Sequence, residues 1–157
     1  MVDRIIVDVE RTRYNTGSGN NVMKVFISYS SKDDDLAGRI ASYLERAGLD
    51  VWYDKREIMP GDNWADKIAQ GLRESDAMVV LLSEGALNSE FIRRDIDFAL
   101  SQKPFRRRVV PVFVGDLRNQ KEDIPWIFDR LQSISLKENG KNEDELRKLA
   151  QVLKNAA

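Results

Sequence analysis

Residues 77–82 are six consecutive apolar side chains, Ala-Met-Val-Val-Leu-Leu, and the run stops at Ser83-Glu84-Gly85. A run this short, rich in Val and Leu and closed by turn residues, reads as a strand buried on both faces, in the middle of a sheet. After the break the pattern becomes helical. At about 100° per residue, Phe91, Ile92, Ile96, Phe98, Ala99 and Leu100 share one face, with Arg93, Arg94 and Asp97 opposite. Asp95 falls inside the apolar face. A carboxylate there is costly unless it is paired, hydrogen-bonded or open to a cleft.

The rest of the chain repeats the alternation of strand and helix. Residues 24–28 read as a first strand and 33–47 as its helix, with Leu36, Ile40, Leu44 and Ala47 at helical spacing. Asp33-Asp34-Asp35 suits the positive end of that helix, and Gly48 closes it. Residues 49–53 read as a second strand. Residues 54–63 form a loop turning at Pro60-Gly61, and Trp64, Ile68 and Leu72 mark the next helix. The strand at 77–82 is the third, with its helix from about residue 89 to 101. Residues 109–114 are a fourth strand, 117–128 are irregular with a helical turn, 131–136 are a weaker fifth strand, and 143–154 a closing helix.

Strands that alternate with helices build a parallel sheet covered on both faces. Five of them in one domain point to α/β architecture, a flavodoxin-like doubly wound five-stranded parallel sheet in the order 2-1-3-4-5. Residues 1–22 stand apart as a tail or the remnant of a linker. They hold a possible short strand at 4–9 and the flexible stretch Asn-Thr-Gly-Ser-Gly-Asn-Asn at 15–21. Residues 23–157 form the domain.

Composition removes much chemistry. The 157 residues include no cysteine and no histidine. Disulfides, Cys/His zinc sites, Ser-His-Asp triads and cysteine nucleophiles are therefore out of reach. Catalysis would fall to carboxylates, hydroxyls, lysine, tyrosine or the substrate's own groups. The net charge of −1 implies no general attraction to nucleic acid or to an anionic membrane. No apolar run approaches the roughly 18 to 20 residues of a membrane span, and no signal-peptide core opens the chain. A cytoplasmic protein is the default expectation.

Doubly wound sheets bind ligands beyond the carboxyl ends of their strands, at the switch point between strands 1 and 3. That places Ser28, Tyr29 and Ser30 after strand 1 and Ser83 and Glu84 after strand 3 around the site. A phosphoacceptor needs an aspartate at the end of strand 3, where Ser83 stands. A phosphate loop needs glycines after strand 1, where Ser-Tyr-Ser-Ser-Lys-Asp stands. Both readings fail. Trp64, Phe91 and Tyr29 offer aromatic walls, with serines as donors, as in a small-molecule cleft. Each residue also has a structural alternative. Asp95 could pair with Lys24 or Lys67, Trp64 and Tyr29 could be core, and Ser28 and Ser30 could cap the next helix.

Taken in order, Lys-Val-Phe-Ile-Ser-Tyr-Ser-Ser-Lys-Asp at 24–33, the 48–64 stretch from Gly-Leu-Asp-Val-Trp-Tyr-Asp-Lys to Pro-Gly-Asp-Asn-Trp, and Leu-Leu-Ser-Glu-Gly-Ala-Leu-Asn-Ser-Glu-Phe at 81–91 resemble the Toll-receptor/resistance-protein (TIR) domain. The likeness covers residues 23–136 and is nearest to the bacterial branch. It implies the sheet inferred above and two kinds of function. Some members cleave the nicotinamide–ribose bond of NAD⁺, giving ADP-ribose or a cyclic isomer, often in antiphage defence. Others are scaffolds that signal through TIR–TIR contacts, commonly made by the loop after strand 2, here Asp54, Ile58, Pro60, Gly61 and their neighbours.

The resemblance assigns the catalytic carboxylate to Asp95, four residues after Phe91. Ser28, Tyr29, Ser30, Trp64, Ser83 and Phe91 would line the substrate. NAD⁺ is then the substrate, with no separate cofactor and no metal. Self-association would complete the site, and a sensor domain, fused or separate, would control it. Both signature positions depart from the family pattern, which has Trp and Glu where this chain has Phe91 and Asp95. Aspartate is one methylene shorter, about 1.5 Å of reach. A misplacement near 1 Å can cost about 10²-fold in rate. Glu90 and Glu84 do not replace it: Glu90 points about 100° from Phe91, and Glu84 is placed in the loop.

Overall fold

The computed structural model describes residues 4–6, 22–52, 60–90, 92–93, 96–97, 109–124 and 126–155, with the side chains at 4–6, 64–65 and 129 outside that description. The elements in chain order are β1 (Arg4–Ile6), β2 (Lys24–Tyr29), α1 (Asp34–Arg46), β3 (Asp50–Trp52), α2 (Trp64–Glu74), β4 (Ala77–Leu82), α3 (Glu84–Leu87), β5 (Val109–Val114), β6 (Ile134–Leu136) and α4 (Glu143–Asn155). Short 3-10 turns stand at Ser31–Asp33, Arg118–Asp123 and Trp126–Arg130.

The parallel strands run β3-β2-β4-β5-β6. In order of the parallel strands this is 2-1-3-4-5, as the alternation predicts. β4 lies at the centre, paired with β2 on one edge and β5 on the other. Every residue of β4 is between 0% and 1% exposed. Burying a Val or Leu side chain is worth about 1.5–3 kcal/mol, so this strand anchors the core. Its neighbour β5 carries Pro111 opposite Val80 and is buried except at Phe113, which is half-buried.

One strand joins from outside the alternation. β1 pairs antiparallel with β2, Arg4 opposite Tyr29 and Ile6 opposite Ile27. β4 occupies one edge of β2 at residues 25–28 and β3 covers the other edge at 24–26. β1 therefore continues the β3 edge along the carboxyl half of β2. The short strand expected within 4–9 is present as these three residues.

Strand alternation sorts the faces of β2. Tyr29 Oη donates to Asp34 Oδ1 at 3.2 Å, so Val25, Ile27 and Tyr29 look toward α1. Lys24 Nζ stands 3.9 Å from Glu74 Oε2, so Lys24, Phe26 and Ser28 look toward α2. Phe26 stacks on Trp52 of β3 with ring centroids 6.0 Å apart. α1 buries Ala37, Ile40, Ala41 and Leu44, and α4 buries Leu146, Leu149, Ala150 and Leu153. Both stripes follow the 3.6-residue period. After α1 the chain turns at Gly48 with φ +91, a left-handed position where a side chain would be strained.

Several boundaries differ from the sequence expectation. Glu84, expected in a loop, is the first residue of α3. The Ser83 Oγ accepts from Ala86 N at 3.3 Å and caps a helical turn there. The fifth strand begins at Ile134 rather than 131, because Leu131 N–H is committed to Phe128 O at 3.2 Å in the preceding turn. Trp126 is 71% exposed, with the Arg130 guanidinium 5.9 Å from its ring centroid. Among the described residues no helix is long and apolar enough to cross a membrane.

Candidate active site

β2 and β4 end side by side, and the chain leaves them in opposite directions, toward β3 and toward β5. This is the switch point where a doubly wound sheet takes its ligand. Two short capped turns meet there. Ser30 is 4% exposed and its side chain accepts from Lys32 N at 3.4 Å, starting the turn into α1. Ser83 is 9% exposed and caps α3. Asp33 N–H donates to Ser30 O at 2.8 Å, which closes the first turn.

The two turns are tied by a side-chain bond. Ser83 Oγ donates to Asp33 Oδ2 in a short hydrogen bond. Since the same oxygen accepts from Ala86 N–H, the serine proton is committed to the carboxylate. The turns also touch sterically: a Cβ at Gly85 would lie 3.1 Å from Lys32 Cδ and 3.7 Å from Ser30 Oγ. On the far side, a Cβ at Gly115 would lie 3.6 Å from Glu138 Oε2. The loops after β2, β4, β5 and β6 thus bring Ser30, Lys32, Asp33, Ser83 and Glu138 to one edge.

Burial raises the Asp33 carboxyl above its ordinary value of 3.8. The Ser83 hydrogen bond draws it back down, the charge of Glu138 pushes it up, and Lys32 lowers it. Desolvation dominates, as for a carboxylate withdrawn from water with no salt-bridged cation among the described residues. Among the described residues no group of three or more acidic side chains could hold a metal ion.

The residues singled out in the sequence are distributed as follows. Ser30 and Ser83 stand at the switch point. Ser28 and Tyr29 are 0% exposed, in the sheet interior, and Tyr29 spends its hydroxyl on Asp34; their position favours the core role weighed for Tyr29. Lys24, a possible partner for Asp95, pairs with Glu74. Pro60 and Gly61 form an exposed turn with Gly61 at φ +93. Asn63 Oδ1 accepts from Asp66 N at 3.2 Å and starts α2 at Trp64. Asp95, Phe91, Asp54 and Ile58 lie outside the described residues, as does the Trp64 side chain; Ile92, Arg93, Ile96 and Asp97 beside Asp95 are helical.

Asp33 and Glu138 are not among the site residues expected from the sequence. Asp33 had a sufficient local role as a first-turn acid, yet its side chain makes no cap bond. Its partner lies 50 residues away. Glu138 carries no sequence signal, since it follows a short edge strand.

A family model for the TIR domain matches residues 25–153. The chain belongs to the TIR domain family. Curated relatives of this TIR domain include a probable 2′ cyclic ADP-D-ribose synthase, TcpO, of Methanobrevibacter olleyae. It is 27% identical over 131 residues, covering 76% of this chain and 38% of the relative. An NAD(+) hydrolase, TcpA, of a Theionarchaea archaeon is 30% identical over 116 residues, covering 72% of this chain and 35% of the relative. The chain therefore spans a little over a third of either protein. Among solved structures, the TIR domain of the Toll-related receptor TRR-2 from Hydra magnipapillata superposes with a TM-score of 0.64 at 15% identity, covering 87% of this chain and 98% of that one. That likeness is one of fold.

Proposed function

We propose that this TIR domain cleaves the nicotinamide–ribose bond of NAD⁺, with Asp95 as the catalytic carboxylate. The observation that carries the reading is kinship: relatives matched over most of this chain are named NAD(+) hydrolases and 2′ cyclic ADP-D-ribose synthases. The polar switch point of Ser30, Asp33 and Ser83 supports it.

The chemistry suits a chain without histidine. Nicotinamide in NAD⁺ is already cationic, so the bonding pair returns to the ring nitrogen and a neutral base leaves without a proton donor. The ribose carbon left behind is oxocarbenium-like, and a carboxylate beside it stabilises the developing positive charge. Water, or a hydroxyl of the same molecule, then bonds to that carbon and releases a proton. Trp64 and Phe91 would pack against the substrate, Ser30 and Ser83 would hydrogen-bond it, and the 54–63 loop would close over it and contact a second copy. Assembly would complete the site, under the control of a sensor domain. The biological setting is the one the resemblance implies, cytoplasmic antiphage defence by NAD⁺ depletion or by a nucleotide signal.

Nicotinamide release from NAD⁺ by concentrated parent protein, Asp95→Ala and Asp95→Glu tests the reading. Turnover by the parent and loss of at least about 10²-fold in Asp95→Ala are expected. Absence of turnover in the parent would leave the TIR interaction-module reading. Undiminished turnover in Asp95→Ala would move the carboxylate elsewhere.

A further inference from the structure

The three acids that open α1 do not share one environment. Asp35 is exposed, and Asp34 receives the Tyr29 hydroxyl. Asp33 turns toward the switch point and takes the Ser83 proton on Oδ2. Among the described residues its Oδ1 has no hydrogen-bond partner, and none of their cations stands within ion-pair distance of it. Lys32 attracts it and Glu138 repels it, both through space. The result is a half-buried acceptor, locked on one oxygen and open on the other, at the edge where the sheet takes ligands.

We propose that Asp33 Oδ1 receives the vicinal hydroxyls of the adenosine ribose of the dinucleotide, with Ser83 fixing the carboxylate; this rests on the NAD⁺-cleaving reading above. An ionised carboxylate only accepts hydrogen bonds, so it cannot serve the phosphates, which are acceptors too. The donors of a dinucleotide are its ribose hydroxyls and its two amino groups. The nicotinamide ribose is assigned to Asp95, which leaves the adenosine ribose as the diol without a carboxylate. Carboxylates that accept from a ribose hydroxyl are an established solution in dinucleotide-binding α/β sheets. The site also favours this ligand energetically. A carboxylate short of water and of donors gains more from a new hydrogen bond than a solvated one does.

The placement predicts discrimination. A 2′-phosphate on the adenosine ribose removes a donor and sets a second anion against Asp33 and Glu138, with Lys32 the one opposing cation among the described residues of the cluster. The parent should therefore prefer NAD⁺ to NADP⁺.

The test measures steady-state cleavage of NAD⁺, NADP⁺ and nicotinamide hypoxanthine dinucleotide by the parent and by Asp33→Asn. Calorimetric titration with ADP-ribose gives a readout free of chemistry. Asn keeps an oxygen for the Ser83 hydroxyl, so the variant should fold, and its thermal melt checks this. Expected for Asp33→Asn is a rise in KM for NAD⁺ and in Kd for ADP-ribose of about 10- to 100-fold, the loss of a charge-assisted hydrogen bond. The kcat should change by less than about threefold, and the preference for NAD⁺ over NADP⁺ should narrow. The hypoxanthine analogue, which lacks the adenine amino group, should behave as NAD⁺ does. A folded Asp33→Asn with parental KM, Kd and selectivity overturns the inference while leaving the cleavage reading in place. A kcat loss at constant KM overturns it as well, by moving Asp33 into the chemistry. Weakening by loss of the adenine amino group that Asp33→Asn abolishes gives the contact to the base instead. A parent that neither binds ADP-ribose nor cleaves NAD⁺ removes both readings together.

Discussion

Asp33 and Asp116 both follow strands of the same sheet at its carboxyl edge, and their carboxyls shift in opposite directions. Asp116, beyond β5, is exposed and lies under a local clamp. Arg118 Nη2 stands 2.6 Å from its Oδ2, and the Arg118 backbone N–H donates to Oδ1 at 3.0 Å. These bonds hold the Asp116 carboxyl below its ordinary value. Asp33, beyond β2, has a hydroxyl for a partner, and burial holds its carboxyl above the ordinary value. One acid is satisfied within its own loop and bathed in water. The other depends on a residue from a different loop and, among the described residues, has a partner on one oxygen alone. The contrast separates a surface fixture from a carboxylate with capacity left for a ligand.

The largest effect should come from below both sites. Leu81→Ala in β4, at a position 0% exposed, should cost about 2–5 kcal/mol in urea unfolding and weaken both loops together. A variant near parental stability would mean that the sheet does not support the two acids in common.

Ser83→Ala should act on one side alone. It removes the Ala86 cap and leaves Asp33 without its donor, at a cost of about 1–3 kcal/mol. The Asp33 carboxyl should rise further, which NMR titration of its side-chain carbon would detect. An unchanged titration would show that the Ser83 bond does not bear on the carboxyl.

The pH dependence has a defined sign. A carboxyl raised in the folded state binds its proton more tightly there than in the unfolded chain. Stability from Asp33 is therefore greatest below 3.8 and falls as pH climbs from 3.8 through the raised folded value. Urea midpoints of Asp33→Asn should lack this fall, meeting the parent near the acidic end and exceeding it at neutral pH. A parallel pair of curves would refute the desolvation account. Asp116 has the reverse sign: its share is present above the ordinary value and is lost as pH falls through the lowered one.

The smallest effect should be that of Arg118→Ala. The Asp116 titration should return toward its ordinary value with no measurable change in the urea midpoint, because both partners are exposed and screened. A clear drop in the midpoint would show that the clamp organises the β5 loop.

Parts of the molecule differ in how far their sequence foretold them. β4 and β5 fall at the residues that periodicity assigns, because a strand buried on both faces admits no polar residue and ends sharply. β3 begins one residue later than its apolar run suggests, at Asp50, because Leu49 N–H is committed to Leu44 O, and β6 begins three residues later. They are edge strands, and neighbouring turns compete for their backbone groups, as Phe128 O does for Leu131 N–H. α3 was hidden because Ser-Glu-Gly at 83–85 carries turn chemistry, and the capping bond that makes it a helix start was not visible in composition. At the site, Ser30 and Ser83 were legible from fold topology alone. Asp33 was not, because its local and long-range roles look the same in a string of three aspartates.

The alternation, the central strand, the parallel order and the family are written in the order of residues, since each rests on local periodicity or on short motifs in register. Composition also excludes histidine and cysteine chemistry from these 157 residues. Which polar residues meet follows from the packing of the sheet. Asp33 and Ser83, 50 residues apart, are joined because the strands before them end side by side, and burial of their loops sets the carboxyl's charge balance. Desolvation and long-range pairing depend on what surrounds a group in space, and the order of residues along a chain does not carry that information.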